Sequence, residues 1–391
     1  MAQKRLPAVL MRGGSSKGLF FGEGVLPTAA RARDSVLIRA LGSPDPYGTQ
    51  MDGLGGGTSS TSKVAIVGRS SRPDCDVDYW FGHVAIQQAL VDDSGSCGNL
   101  AAAVGPFAIE EGLVETTDPM TTLRIWQRNV GKRIVAEIPT EKGVPRVSGD
   151  FRLDGVAFPG AAMRLIYLNP NGPGETVLPT GQASEILDIA GWGPLRVSLL
   201  NAGNPIVFVR GEDVGLTVHE GPRELAADLE RFDRFEAIRS HAAVAMGLAS
   251  TPEEATRNRP ATPKLAFVAP PGSFVTSDGC LIDESACDIL GRILSMGRPH
   301  HAFTGTGAIA VAVAAKLPGT VIYESVRSES RSKPAVRLGH AAGVMSLDAH
   351  VEQHDGIWRA RSVSMYRSAR RLMEGAILIP EADFEIAMNE R

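Results

Sequence analysis

Two long apolar segments stand out from the mixed hydrophobic and polar pattern of the chain. They read CGNLAAAVGPFAIEEG from Cys97 and TGTGAIAVAVAAKLPG from Thr304. Each opens with a small turn that contains glycine and continues for a helix length in Ala, Val, Leu, Ile and Phe. A helix that is apolar on every side must be buried on every side. The pattern therefore predicts two buried helices, one in each half of the chain, that begin at Cys97 and Thr304.

A strand-like run precedes each predicted buried helix. Residues 77–86 and 287–296 are rich in β-forming and branched side chains. The repeated pattern predicts a sheet wrapped around a central helix, once in each half. Apolar residues at helical spacing also predict surface helices at 32–41 and across 223–248.

The middle of the chain carries the clearest boundary signal. A Pro- and Gly-rich stretch at 168–182 shows neither helical nor strand periodicity. A chain of 391 residues is long enough for two domains. We therefore predict an N-terminal domain over 1–185 and a C-terminal domain over 186–391, with the last strand free to return to the first domain.

Charge and cysteine content argue against several classes of protein. With 40 basic and 44 acidic residues, the chain has no overall positive field to hold nucleic acid or an anionic membrane. No apolar run approaches the roughly 20 residues of a membrane span, and the start lacks the core of a signal peptide. Four cysteines without zinc spacing indicate free thiols and no metal site. We expect a cytoplasmic protein.

The two predicted buried helices also suggest a ligand. The first N–H groups of a helix have no partner within the helix, and they attract anions. If both helix starts face one cleft between the halves, a substrate with several carboxylates could be bound from both sides.

Cys97 lies at the first of these helix starts, in SGSCGN. A thiol there can exchange a proton with a carbon next to a carbonyl, while helix N–H groups and Asn99 stabilise the enolate. The local sequence leaves a second interpretation open, because most free cysteines are simply small buried residues.

Hydroxyl-rich loops lead to two lysines near strand-like runs. Residues 51–68 place five small hydroxyl residues before Lys63, and residues 11–21 place Ser15 and Ser16 before Lys17. Such loops could bind carboxylates, and a buried Lys63 could serve as a base. An exposed lysine at the start of a strand remains the alternative. Neither loop is a P-loop, because Ser16 and Ser62 stand where that motif requires glycine.

The second half offers fewer candidates. Arg298, His300 and His301 precede the second buried helix in MGRPHHAFTGTGAIA, and Arg298 could pair with a carboxylate. A solvated arginine and hydrogen-bonded loop histidines are the alternatives. In NAGNP, Asn201 or Asn204 could face the cleft or only satisfy a turn.

Together these motifs resemble the methylaconitate isomerase (PrpF) family over nearly the whole chain. The resemblance rests on MRGGSSKG, GSPDPYGTQMDGLGGGTSSTSKVAIV, SGSCGN, NAGNP and GRPHHAFTGTGAIA. It implies an α+β, diaminopimelate epimerase-like fold of two pseudo-symmetric β-rich domains, with the active site in the cleft between them. It also implies that Lys63 and Cys97 are the catalytic residues of an isomerase that uses no cofactor.

Within the family, the sequence is most similar to the 4-oxalomesaconate isomerases of lignin and gallate breakdown. That similarity implies a 1,3-allylic proton shift on a tricarboxylate. Thr304 stands where diaminopimelate-type epimerases have a second cysteine, and a hydroxyl is not a comparable base. This departure favours double-bond migration by Lys63 and Cys97 over racemisation by two thiols.

The expected substrate-binding residues come from both halves. They are Ser15, Ser16, Lys17, Ser60, Ser94, Gly98, Asn99, Arg298, His301, Thr304, Gly305 and Thr306. An aconitate or 2-methylaconitate isomerase is the alternative with the same fold. A non-catalytic partner of an aconitase-like dehydratase is an alternative of another class. We expect a small polycarboxylate as the ligand, no nucleic acid or membrane partner, and a homodimer as one possible assembly.

Overall fold

The computed structural model of the chain describes residues 3–172, 174–189, 192–227 and 229–389. The fold is α+β, as the sequence predicts. The strands of the first half are β1 (Gln3–Gly13), β2 (Ser16–Gly22), β3 (Lys63–Arg69), β4 (Val77–Val84), β5 (Val91–Asp92), β6 (Met120–Gln127), β7 (Lys132–Glu141), β8 (Val144–Pro145) and β9 (Met163–Leu168).

The second half contributes the remaining strands. They are β10 (Glu185–Ile189), β11 (Gly193–Ala202), β12 (Asn204–Arg210), β13 (Lys264–Ala269), β14 (Phe274–Val275), β15 (Leu281–Ile282), β16 (Ile289–Ser295), β17 (Arg298–Pro299), β18 (Ala335–His340), β19 (Gly343–His354), β20 (Ile357–Arg367) and β21 (Ala369–Pro380).

The helices are α1 (Ala30–Leu41), α2 (Val104–Glu110), α3 (Pro222–Ala226), α4 (Leu229–Ala245), α5 (Pro252–Asn258), α6 (Gly305–Ala314), α7 (Val321–Ser325) and α8 (Glu381–Asn389). Short 3-10 helices span Leu100–Ala103, Gly211–Val214, Glu284–Ala286 and Ser328–Ser330. No helix in the described ranges is long and apolar enough to cross a membrane.

One continuous sheet links the two halves. Its main strands follow the order β21, β1, β2, β3, β4, β6, β7, β9, β20, β19, β18, β16, β13, β12, β11, β10. The late strand β20 pairs with β9, and β21 runs antiparallel to the whole of β1. Strand pairing therefore crosses the domain boundary predicted at residue 185. The position of that boundary stays a prediction.

The two predicted apolar segments lie at the centre of the curved sheet. The 3-10 turn with α2 is buried from Leu100 to Ile109, and α6 is buried along its whole length. In α6 each fully buried Val or Ile stabilises the fold by about 1.5–3 kcal/mol. The predicted burial of both segments is confirmed.

The start of the first segment differs from the prediction. The helix does not begin at Cys97: a 3-10 turn starts at Leu100 and the α-helix at Val104. The Ala101 N–H bonds the Cys97 carbonyl four residues back, and in the 3-10 turn that follows the Ala102 N–H bonds the Asn99 carbonyl only three residues back. In the second segment Thr304 caps α6, because its hydroxyl accepts the Gly307 N–H.

The other predicted elements are largely confirmed. The runs 77–86 and 287–296 form β4 and β16, and the helix at 32–41 is α1. The helical pattern predicted across 223–248 corresponds to α3 and α4, and residue 228 between them lies outside the described residues.

Candidate active site

The starts of the two buried segments touch each other. A Cβ atom on Gly98 would lie 3.0 Å from the Gly305 carbonyl carbon and 3.0 Å from the Thr306 nitrogen. A Cβ on Gly305 would lie 3.0 Å from the Gly98 carbonyl carbon. Any larger residue on either side of this contact would force the facing backbone to move by a few tenths of an ångström. The contact brings the Cys97 loop against the first amides of α6, from which an anion could accept hydrogen bonds.

Asn204 fixes the loop before Cys97 to the start of α6. It stands at the tight β11–β12 turn, where Gly203 adopts a φ of 75°. Its side-chain oxygen accepts the Ser96 N–H at 2.7 Å. Its amide nitrogen donates to the Ser96 carbonyl at 2.9 Å and to the Thr306 hydroxyl at 3.1 Å. One buried side chain thus joins the two halves beside the cavity.

Lys63 and Cys97 are in direct contact. Lys63 is the first residue of β3, and its Nζ donates to Ser16 Oγ at 2.9 Å and to Cys97 Sγ at 3.4 Å. The Leu100 N–H also donates to this sulfur, at 3.3 Å. Both side chains are buried, with 4% of Lys63 and 6% of Cys97 exposed. The structure therefore joins an amine and a thiol from distant segments in one hydrogen-bonded pair.

The β1–β2 loop carries the neighbouring hydroxyls. Strands β2 and β3 are parallel neighbours, which places Ser16 beside the start of β3. Ser15 accepts a hydrogen bond of 3.0 Å from the Asn99 side chain. Gly14 has a φ of 54°, a backbone conformation that glycine adopts readily. This turn brings both serines to the first buried segment.

A second buried lysine, Lys264, was missed by the sequence analysis. It is the first residue of β13, and its Nζ donates to the Ala261 carbonyl and to Ser295 Oγ, each at 3.2 Å. Burial, aided by the charge of Lys63, lowers the pKa of Lys264 to about 8. A signal was present in the sequence, because TPKLAFV around Lys264 resembles TSKVAIV around Lys63.

A single cavity brings these groups together. Its lining comes from both halves and comprises Lys63, Phe81, His83, Gly95, Ser96, Cys97, Gly98, Asn99, Asn204, Ala261, Lys264, Ser295, Thr304, Gly305 and Thr306. Two lysines and no acidic residue line it. The nearby carboxylate of Asp92 already accepts from Ser94 N, Ser94 Oγ and Ala261 N. The cavity is therefore suited to an anionic ligand.

Histidines near the cavity are held neutral. Burial lowers the pKa of His83 and His300 well below the usual value, and nearby lysines add to the effect. His300 stacks on His301 at 4.8 Å between ring centroids, and burial with the charge of Lys63 also lowers the pKa of His301. Across the described ranges, no three His, Cys, Asp or Glu side chains cluster as metal ligands would.

Several predicted binding residues lie away from the cavity lining. The Ser94 hydroxyl bonds Asp92 at 2.6 Å and Thr262 at 2.8 Å, so it links the halves. The Ser60 hydroxyl bonds that of Thr58 at 3.0 Å. Lys17 is half-buried on β2, and Arg298 is exposed on β17. The structure gathers the remaining predicted residues in or beside the cavity, and their roles stay predictions.

Comparison with known proteins assigns the chain to a family. A family model described as "PrpF protein" matches residues 3–380. The chain belongs to the PrpF family. This PrpF chain is 44% identical to 2-methyl-aconitate isomerase of Shewanella oneidensis, covering 97% of this chain and 98% of that one. It is 34% identical to 4-oxalomesaconate tautomerase of Pseudomonas putida, covering 97% of both chains.

Solved structures show the same fold. A crystal structure of methylitaconate-delta-isomerase covers 98% of each chain at 37% identity, with a TM-score of 0.75. A hydroxyproline epimerase from Agrobacterium vitis covers 97% of this PrpF chain and 94% of its own, with a TM-score of 0.55 and 14% identity. The second likeness concerns the fold alone. The chain is an isomerase of the PrpF family with an epimerase-like α+β fold.

Proposed function

We propose that the chain catalyses a 1,3-allylic proton shift on a tricarboxylate, with 2-methylaconitate as the first substrate to test. The observation that carries the proposal is the cavity lined by two buried lysines and no carboxylate, where an amine and a thiol touch. Neither buried lysine forms a salt bridge with a carboxylate among the described residues, which favours an anionic ligand, and the touching pair offers groups that take and return a proton.

The proposed reaction needs only proton transfers. Lys63 or Cys97 removes a proton from an allylic carbon next to a carboxylate, and the electron pair of that C–H bond moves into the carbon framework. The resulting dienolate charge lies near the first amides of α6 and the Asn99 side chain, which stabilise it. Return of the proton to the third carbon completes the shift of the double bond. No oxidation or reduction occurs, so no redox group is needed.

The order in which the two candidate substrates should be tested follows from the sequence identity to each relative. The resemblance noted from sequence motifs favours 4-oxalomesaconate, and a role in the breakdown of lignin and other aromatic compounds would follow from it. The 2-methylaconitate isomerase of Shewanella oneidensis is 44% identical, whereas the 4-oxalomesaconate tautomerase of Pseudomonas putida is 34% identical. We therefore place 2-methylaconitate first and 4-oxalomesaconate second.

The test is turnover by the purified protein alone in deuterated water. Both tricarboxylates are assayed side by side by proton NMR, which detects double-bond migration and deuterium at the carbons that exchange. Lys63→Met is expected to lower the rate about 100- to 10,000-fold, the range for loss of a general base. Lys333→Met removes an exposed lysine and serves as the control.

Two results would contradict the proposal. If the wild type turns over neither tricarboxylate alone but restores an aconitase-like dehydratase, the non-catalytic role is correct instead. If folded Lys63→Met turns over normally, the base assignment is wrong. Cys97→Ser then separates an essential thiol from one that only positions Lys63.

A further inference from the structure

Lys264 occupies in the second half the place that Lys63 occupies in the first. Each lysine opens a buried strand, β3 or β13, that pairs antiparallel with the strand before a buried helix. Lys63 pairs in register with His83, and the pairing of Leu265 with Leu294 sets Lys264 beside Ser295. The pseudo-symmetry thus delivers two amines to one cavity.

The hydrogen bonds of Lys264 go only to uncharged groups, and the Asp92 carboxylate acts on its charge from beyond ion-pair distance. An ammonium has three N–H donors, and the two acceptors of Lys264 are the uncharged Ala261 carbonyl and Ser295 hydroxyl. No salt bridge to Lys264 occurs in the part of the chain that the structure describes, and only 6% of the residue is exposed. A buried charge is costly unless an opposite charge accompanies it.

We propose that Lys264 binds a carboxylate of the substrate from the second half of the chain and so favours tricarboxylates over dicarboxylates. This inference rests on the proposed function. Lys63 and Cys97 act on the carbon framework, whereas Lys264 contributes binding. Its loss is therefore expected to raise KM more than it lowers kcat.

Steady-state kinetics test this role. Lys264→Met is expected to raise KM for the tricarboxylate about 10- to 100-fold, the range for a hydrogen bond to a charged group, and to change kcat less than about fivefold. Lys264→Arg keeps the positive charge and is expected to recover part of the affinity. The control is Lys316→Met, because Lys316 donates to the Ser330 carbonyl and lies outside the cavity lining.

A pH series adds a measurement that a structural role would not affect. Because the pKa of Lys264 is about 8, its ammonium form is lost as pH rises through that value. Affinity for tricarballylate, a saturated tricarboxylate, is therefore expected to fall between pH 7 and 9, with proton uptake on binding. Lys264→Arg should abolish both effects. This measurement needs no turnover, so its outcome is independent of the proposed reaction.

Three results would overturn the inference. The first is an unchanged KM in folded Lys264→Met. The second is loss of kcat and deuterium exchange at unchanged KM, which would make Lys264 a base. The third is tricarballylate binding to the wild type without proton uptake, and it applies even if Lys264→Met fails to fold. Absence of wild-type turnover would reject only the proposed function.

Discussion

At the scale of single residues, Asn204 holds two parts of the site together from its position in the β11–β12 turn. Its side chain makes three hydrogen bonds, two to Ser96 and one to Thr306. Buried groups left without partners cost about 1–3 kcal/mol each. Replacing Asn204 would therefore loosen both the Cys97 loop and the start of α6.

We expect Asn204→Ala to lower the free energy of unfolding by about 1–3 kcal/mol and kcat by at least about tenfold. Urea denaturation and steady-state rates measure the two effects. The control is Asn201→Ala in the same turn, whose amide bonds the Asn171 carbonyl and the Glu175 carboxylate. Equal losses of activity in both variants would show that the turn matters and the contact between halves does not.

How far the sequence predicts the site depends on the kind of residue. Lys63 and Cys97 could be found because each stands in a distinctive local pattern. Lys264 follows Thr262 and Pro263, which form a less conspicuous pattern, and it was overlooked. The sequence of its strand nevertheless resembles that of the Lys63 strand. Ser94 stands in the right loop, but its hydroxyl faces Asp92 and Thr262 because the second half approaches there. That approach is a tertiary feature which local spacing does not contain.

At the scale of elements, the contact between the two helix starts sets the geometry of the cavity. Gly98 and Gly305 meet through backbone atoms, which cannot move aside as a flexible side chain can. An added methyl group would push the first buried segment and α6 apart. The shift needed is a few tenths of an ångström, and because a displacement of about 1 Å at a reacting centre can lower rates about 100-fold, a smaller loss is expected here.

Gly98→Ala is expected to lower kcat by about 3- to 10-fold while the protein remains folded. Circular dichroism and steady-state kinetics check the two parts of this expectation. Gly22→Ala is the control, because a Cβ there would meet only the Val25 side chain, at 3.9 Å. Full activity of Gly98→Ala would mean that the helix starts can separate without loss of function.

Elements were predicted best where the apolar pattern was strongest. All ten residues of α6 are buried, and its predicted start at the Thr304 cap is confirmed. The first segment starts three residues later than predicted, because hydrogen bonding at its start forms a 3-10 turn. The pattern of hydrophobic residues does not indicate whether the first turn of a helix forms i+3 or i+4 hydrogen bonds.

At the scale of the whole molecule, buried neutral histidines make stability depend on pH. Burial, with the charges of Arg292 and Arg367, lowers the pKa of His340 from 6.5 to about 3. The unfolded chain therefore binds a proton below about pH 6.5 that the folded chain does not bind. Stability is complete above that pH and is lost as pH falls. Burial acts in the same direction on His83 and His300.

We expect the free energy of unfolding to fall by up to about 1.4 kcal/mol per pH unit for each such histidine below pH 6.5. His340→Asn should remove one of these contributions, because the Asn oxygen can accept the Ala342 N–H that His340 Nδ1 accepts. Urea titrations between pH 5 and 7.5 measure the slope. His354→Asn, at an exposed position, is the control. An unchanged slope in His340→Asn would contradict the assignment.

The long pairing of β21 with β1 has a consequence for synthesis of the chain. Gly13 lies opposite Ala369, and Gln3 lies opposite Pro380. Strand β1 must therefore wait for the synthesis of β21 before one of its two edges is covered. Domains generally fold in order from the N-terminus during synthesis, but contacts this distant in sequence form late. The Lys63 strand can form early, whereas the sheet around it is complete only after β21 has been synthesised. A nascent chain stopped before residue 369 should therefore be an open, aggregation-prone intermediate.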